Sequence, residues 1–297
     1  MSCQFTQAMS VDEAVLALTK AKGEAHLIAG GVALVILINE KLVEPSWLID
    51  VSRIEALHGI DKLPDGTIRI GAAVTHREVA ESQVIAEAFP MVPEMAAEIA
   101  CGRIMNKGTI GGNICLADPQ GDPPIAMLAL DATMRAVGPN GIRDIPVREF
   151  FVDLYTTALA EDELLQEILI PPMKKGSATA FGKYAARKAM DYTSTISVAV
   201  RLIKNPSNET LDEVSLGFGG VGQIPIYLEE IENMLTGTSP SDTLFKEVAK
   251  KLSGVLEPID DHLYSADYKK HVSAVTLRRT IMKAYDGTWD GEGVLIR

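Results

Sequence analysis

Apolar residues begin to recur at helical spacing close to the amino terminus. Ala14, Val15, Leu18 and Ala21 fall on one face, Ser10 and Glu13 form a capping box ahead of them, and Gly23 supplies a stop. Residues 26–28 read as a short strand that runs straight into Ala29, Gly30, Gly31, Val32, Ala33 and Leu34. Residues 47–51 give the next strand, and 67–71 alternate like a strand after the Pro64-Asp65-Gly66 turn. Thr75 and Glu78 make a second capping box, 93–100 and 123–130 read as helices, and 133–137 and 164–170 as strands. Pro171 and Pro172, followed by Lys174, Lys175, Gly176 and Ser177, form the clearest linker signal. Beyond it, strands are expected over 180–185, 193–203 and 214–219, the middle one alternating Ile196, Val198, Val200 and Leu202. Helices follow over 229–235, 241–252 and 266–285. The pattern predicts an α+β protein whose last part is an antiparallel sheet with helices on one side.

Composition narrows the function. At 297 residues the chain is too long for one small core. Its net charge of −12 argues against nucleic acid, whose phosphates demand Lys and Arg. Three cysteines, Cys3, Cys101 and Cys115, form no Cys-x-x-Cys pair, so neither a disulfide framework nor an iron–sulfur cluster of the chain's own is expected. The five histidines show no paired metal-ligand spacing. The amino terminus has neither a basic stretch nor an apolar one of signal-peptide type, and the longest apolar run, 32–38, is far too short to span a bilayer. A cytoplasmic, reduced setting is the expectation.

The densest chemistry lies in residues 109–122. Thr109 offers a hydroxyl, Gly111 and Gly112 remove two Cβ atoms so that backbone N–H groups can approach an anion, and Asn113 adds an amide. Asp118 and Asp122 follow in a loop marked by Pro and Gly. This combination suits a ligand with phosphates at one end and hydroxyls at the other, the carboxylate accepting from hydroxyls. An ordinary Gly-rich turn is the alternative. The Ala29–Gly31 turn, between a strand and an apolar segment, is a second place where a pyrophosphate could meet free N–H groups. A Rossmann fold would place a ribose-binding acid near Asp50. The Gly-x-Gly-x-x-Gly spacing is absent, however, and no βαβ alternation is expected to follow.

These two stretches, with Arg103 ahead of the second, resemble the FAD loops of the flavoprotein (medium) subunits of molybdenum hydroxylases. That family includes the carbon monoxide dehydrogenase medium subunit and the flavin part of xanthine dehydrogenase. The resemblance implies a two-lobed FAD-binding domain of vanillyl-alcohol-oxidase type over 1–175 (lobes about 1–53 and 54–175) and a C-terminal α+β domain over 178–297. It implies FAD contacts from Ala29, Gly30, Gly31, Val32, Ala33 and Leu34, from Ile99, from Thr109, Ile110, Gly111, Gly112 and Asn113, and from Asp122. Tyr192 would lie against the isoalloxazine ring. Two positions depart from the family: Ala33, where a hydroxyl is usual, and Tyr227, where xanthine-dehydrogenase-like members tend to carry a cation near the flavin. The implied function is electron transfer. Molybdopterin and two [2Fe-2S] clusters would belong to a large and a small partner subunit, and FAD on this chain would pass electrons to an external acceptor. No acid, base or nucleophile of the chain's own is implied. A self-contained FAD-dependent oxidoreductase and a flavin-binding assembly subunit without turnover stay open beside this reading.

Overall fold

A computed structural model describes residues 3–185, 195–261 and 263–286. The chain opens with β1 (Gln4–Gln7), α1 (Val11–Ala21), β2 (Ala25–Ile28), α2 (Val32–Asn39) and β3 (Trp47–Asp50). β3 lies between β1 and β2 and is parallel to both. Parallel neighbours need crossover connections, and α1 and α2 provide the cover for them. The expectation that no βαβ alternation follows the glycines is thus corrected: α2 carries the chain from β2 to the parallel β3. The strand order 1-3-2 nonetheless differs from the Rossmann order. At the start of α1 Glu13 N–H donates to Ser10 Oγ, but the Glu13 carboxylate accepts from Met9 N–H, one residue ahead of the cap. The helix ends at Lys22, in the left-handed region at φ 49°, just before Gly23.

The second group of elements surrounds a five-stranded antiparallel sheet. It comprises β4 (Ile60–Lys62), β5 (Ile68–Gly71), α3 (His76–Ala80), α4 (Gln83–Ala88), α5 (Met91–Ala97), α6 (Gly102–Met105), α7 (Ile110–Leu116), α8 (Asp122–Ala129), β6 (Thr133–Gly138), β7 (Gly141–Pro146), α9 (Val147–Phe150), the hairpin β8 (Phe151–Asp153) and β9 (Thr156–Thr157), and β10 (Leu164–Ile170). The sheet order is β4-β5-β10-β6-β7. The Thr75–Glu78 capping box is present in full. Glu167, nearly buried on β10, takes Arg69 on one oxygen at 2.5 Å and Arg135 on the other at 3.0 Å, which satisfies a charge the sheet would otherwise bury alone.

The third group is β11 (Ser177–Tyr184), β12 (Ile196–Lys204), β13 (Leu211–Gly219), α10 (Glu229–Leu235), α11 (Asp242–Val255) and α12 (Ala266–Asp286). The three strands form an antiparallel meander. Strand alternation assigns its two faces. Ala180, Tyr184, Val198, Val200, Leu216 and Phe218 join the core beneath α11 and α12. Phe181 and Ala199 point the other way and join the core of the five-stranded sheet. The expected sheet with helices on one side therefore has its second face covered too, by α8. The approach is close: a Cβ on Gly217 would stand 2.2 Å from Ile125 O. Arg148 fastens the same seam, donating to Asp131, Ser215 and Glu232, while Arg201 donates to Ala129 O and pairs with Asp131.

Candidate functional site

Of the two glycine-bearing stretches, the first keeps its backbone donors open. β2 ends at Ile28, and Ala29, Gly30 and Gly31 turn the chain into α2. Gly31 is the N-cap at φ 71°, a conformation glycine adopts freely, and no side chain among the described residues caps this helix. Val35 N–H closes the first turn on Gly31 O. The N–H groups of the residues before it are those that a helix leaves without internal partners, at the positive end of its dipole. All six residues from Ala29 to Leu34 are half-buried, and α2 buries none of its side chains despite being almost wholly apolar. A helix of this composition with an uncapped start has room for an anionic ligand.

The second stretch lies directly against the first. A Cβ on Gly30 would stand 1.7 Å from Lys107 O and 3.1 Å from the Cα of Gly108. Gly108 in turn packs on the His76 ring, whose Cδ2 would stand 3.0 Å from a Cβ there. His76 is buried, and burial pushes its imidazole down to about 4, so it is neutral at physiological pH. Immediately after Gly108, the five residues expected to form a bare anion loop do something different. Thr109 is the N-cap of α7, its hydroxyl accepting from Gly112 N–H at 3.1 Å. Ile110 N–H donates to Val74 O, Gly111 N–H to Ala72 O and Asn113 N–H to Thr109 O. The expectation that Gly111 and Gly112 present free donors is corrected: the protein consumes them. Gly111 is required for packing, since a Cβ there would stand 2.5 Å from both Ala72 Cβ and Ala72 O. Ile110 is wholly buried in the core, so its side chain serves the fold.

Asn113 carries the ligand-like feature of this segment. Its Oδ1 is buried and without a hydrogen-bond partner among the described residues. A buried unpaired acceptor costs about 1–3 kcal/mol unless something donates to it. Phosphate oxygens cannot donate, whereas sugar and ribityl hydroxyls can. Gly121 sits against this oxygen, its missing Cβ 3.1 Å away, and Asp122 follows as the first residue of α8. Asp118 closes the intervening loop by accepting from Gln120 N–H, and burial raises its carboxyl above the ordinary range.

Asp122 is fully buried and meets a residue the sequence reading did not select. Lys183 Nζ, from the face of β11 that points away from α12, lies 2.6 Å from Asp122 Oδ2. It also donates to Glu98 O at 3.3 Å, next to Ile99, which is itself buried. The structure thus brings Ile99, Asp122 and Lys183 together. Lys183 was findable: it shares strand parity with Phe181, so alternation alone places it on the face opposite the helix-covered core. Tyr192 lies outside the described residues. Tyr227 packs under Arg148, whose guanidinium carbon is 4.3 Å from the ring centroid. Arg103, on α6, is exposed. The thiol of the half-buried Cys115, in α7, is pushed up to about 12 by desolvation. Among the described residues no cluster of His, Cys, Asp and Glu could hold a metal ion, and no helix is long and apolar enough to cross a membrane.

Residues 1–173 match the family model described as the FAD binding domain in molybdopterin dehydrogenase, and residues 180–284 match the CO dehydrogenase flavoprotein C-terminal domain. The chain is 32% identical to the 6-hydroxypseudooxynicotine dehydrogenase complex subunit alpha of Paenarthrobacter nicotinovorans, over 95% of this chain and 94% of that one. It is 31% identical to the carbon monoxide dehydrogenase medium chain of Hydrogenophaga pseudoflava, over 93% and 94%. The solved carbon monoxide dehydrogenase from Hydrogenophaga pseudoflava superposes with a TM-score of 0.91 at 29% identity, covering 96% of this chain and 98% of that one. Quinoline 2-oxidoreductase from Pseudomonas putida 86 gives 0.88 at 26% identity, covering 97% and 98%. An uncapped helix start, an orphaned acceptor and two loops sealed by glycine fit the dinucleotide such a domain holds, and the chain belongs to the FAD-binding medium subunits of the molybdenum hydroxylase family.

Proposed function

We propose that this chain carries electrons between iron–sulfur clusters of a partner subunit and an external acceptor, within a complex whose large subunit holds the molybdenum cofactor. The observation that carries the reading is the seam at Gly30, where the open start of α2 meets Lys107 and Gly108. FAD, when bound, supplies the exchange of electrons between one- and two-electron partners. The chain's part is to hold and shield it. Gly30, Gly31, Val32, Ala33 and Leu34 present backbone donors to the diphosphate, with Ala29 leading into the turn. Thr109 and Gly112 keep α7 capped so that Asn113 Oδ1 receives a hydroxyl, and Ile110 and Gly111 anchor that helix in the core. Ile99, Asp122 and Tyr192 take the remainder of the cofactor. The proposed division is a FAD-binding domain over 1–175 and a C-terminal domain over 178–297, the second closing on the first through α8.

The family of this chain supports the assignment of partners: its relatives include a dehydrogenase complex subunit and medium chains. The test is anaerobic. FAD-loaded protein is mixed with the reduced two-cluster partner, and flavin bleaching is followed at 450 nm. Bleaching on the timescale of turnover, with no substrate oxidation by this chain alone, is the expected result. Oxidation of a small substrate by the isolated chain would favour a self-contained flavoenzyme. A loaded chain that neither turns over nor accepts electrons would favour an assembly subunit.

A further inference from the structure

We propose that Lys183 is the cation of the flavin's ring end: its ammonium holds Asp122 and donates to the polar edge of the isoalloxazine, raising the flavin's affinity for electrons. The inference rests on the assignment of the site to FAD and adds a residue that tunes it.

The placement follows from the order of the site. The diphosphate end is fixed by Gly30 and the start of α2, pressed on Lys107 and Gly108. One turn into α7 comes Asn113, with its orphaned acceptor. Gly121 touches Asn113, Asp122 follows Gly121, and Lys183 lies on Asp122. The proposed cofactor path runs along this line, which sets the ammonium at the end remote from the phosphates. The same ammonium touches Glu98 O, beside Ile99.

Chemistry argues that this pair serves a ligand. The side chains of Lys183 and Asp122 are 7% and 0% exposed. An ion pair so deep recovers its desolvation cost poorly, and apolar residues of similar size commonly serve stability as well. The ammonium has three protons; Asp122 Oδ2 takes one at 2.6 Å and Glu98 O receives another at the long distance of 3.3 Å. A carbonyl or ring nitrogen of the flavin is the acceptor that would complete the set. Reduction draws negative charge towards N1 and the C2 carbonyl, and a fixed cation in a dry site stabilises charge developing there.

The experiment uses the full chain, loaded with FAD, as wild type, Lys183→Arg, Lys183→Met, Asp122→Asn and Lys183→Met/Asp122→Asn. The double variant removes both charges and leaves no lone buried carboxylate. Two quantities are read: the two-electron midpoint potential against redox dyes, and the dissociation constant for sulfite, which adds to flavin N5 and pushes charge towards N1. Lys183→Met and the double variant should bind sulfite at least about tenfold more weakly and shift the two-electron equilibrium about tenfold, ~30 mV, towards the oxidised form. Lys183→Arg should stay near the wild type in both. A double variant that retains FAD with wild-type sulfite affinity and potential would overturn the proposal. So would a folded double variant that has lost its FAD while Asp122→Asn alone retains it, since Lys183 would then be an anchor rather than a tuning charge. A wild-type chain without FAD fails the site assignment instead, and flavin content is measured before any variant is compared.

Discussion

Replacing Gly30 with alanine adds one methyl group at the seam between the two loops. The new carbon would stand 1.7 Å from Lys107 O and 2.6 Å from Lys107 C, where separations under 3.0 Å force a shift, so the neighbouring backbone must retreat by about 1.3 Å. The obstacle is main chain and cannot rotate aside as a side chain would. Overpacking of this kind costs about 1–3 kcal/mol, and a displacement near 1 Å of a positioning group commonly costs a hundredfold in a site that needs both halves in register. FAD should therefore bind Gly30→Ala about a hundredfold more weakly than the wild type, ~2.8 kcal/mol. Titration of the apoprotein with FAD, followed by quenching of flavin fluorescence, reads this directly. Circular dichroism and the melting temperature of the apoprotein confirm that the fold survives. Gly254→Ala is the matched control, because a Cβ there meets nothing within 4 Å. If Gly30→Ala were folded and bound FAD within threefold of the wild type, the seam would not be the phosphate end of the site.

Gly111→Ala should destabilise the fold by about 1–3 kcal/mol, read as a lower melting temperature with or without FAD, because the added carbon strikes Ala72 rather than ligand. Ala33→Ser, placing a hydroxyl at the open start of α2, should tighten FAD binding roughly threefold to tenfold in an equilibrium titration, the net value of one hydrogen bond. His76 gives a pH signature. Its folded value of about 4 lies below the ordinary 6.5, so its contribution to stability is complete above about pH 6.5 and lost as pH falls towards 4. The loss amounts to about 3 kcal/mol, and denaturant melts of His76→Gln should show a flatter acid limb between those values.

The sequence disclosed most of the long elements because their patterns are strong. β10 and α10 fall on the expected residues, and α11 and α12 within three residues of them, since each carries sustained periodicity. Elements without a buried face were missed. β1 is exposed at three of four positions and β7 at five of six, so neither shows alternation. α7 was hidden for another reason. Two adjacent glycines are poor helix formers, yet the Thr109 cap and the absence of room beside Ala72 make glycine obligatory there and the helix stable. For the same reason the Gly111 N–H looked like an open donor, because a glycine that admits backbone and one that admits an anion are identical in sequence. The pairing of Lys183 with Asp122 was not legible because the two are 61 residues apart, although strand parity already gave the direction of Lys183.

The account turns on whether the site between α2 and α7 holds FAD. The direct measurement is to load the purified chain from an equimolar mixture of FAD and FMN, remove the excess, denature, and identify the released flavin by chromatography. One FAD per chain with FMN at background is the predicted result, as only a dinucleotide presents a diphosphate to the start of α2 together with a second sugar. Recovery of FMN at comparable occupancy, or of no flavin from folded protein, would contradict it.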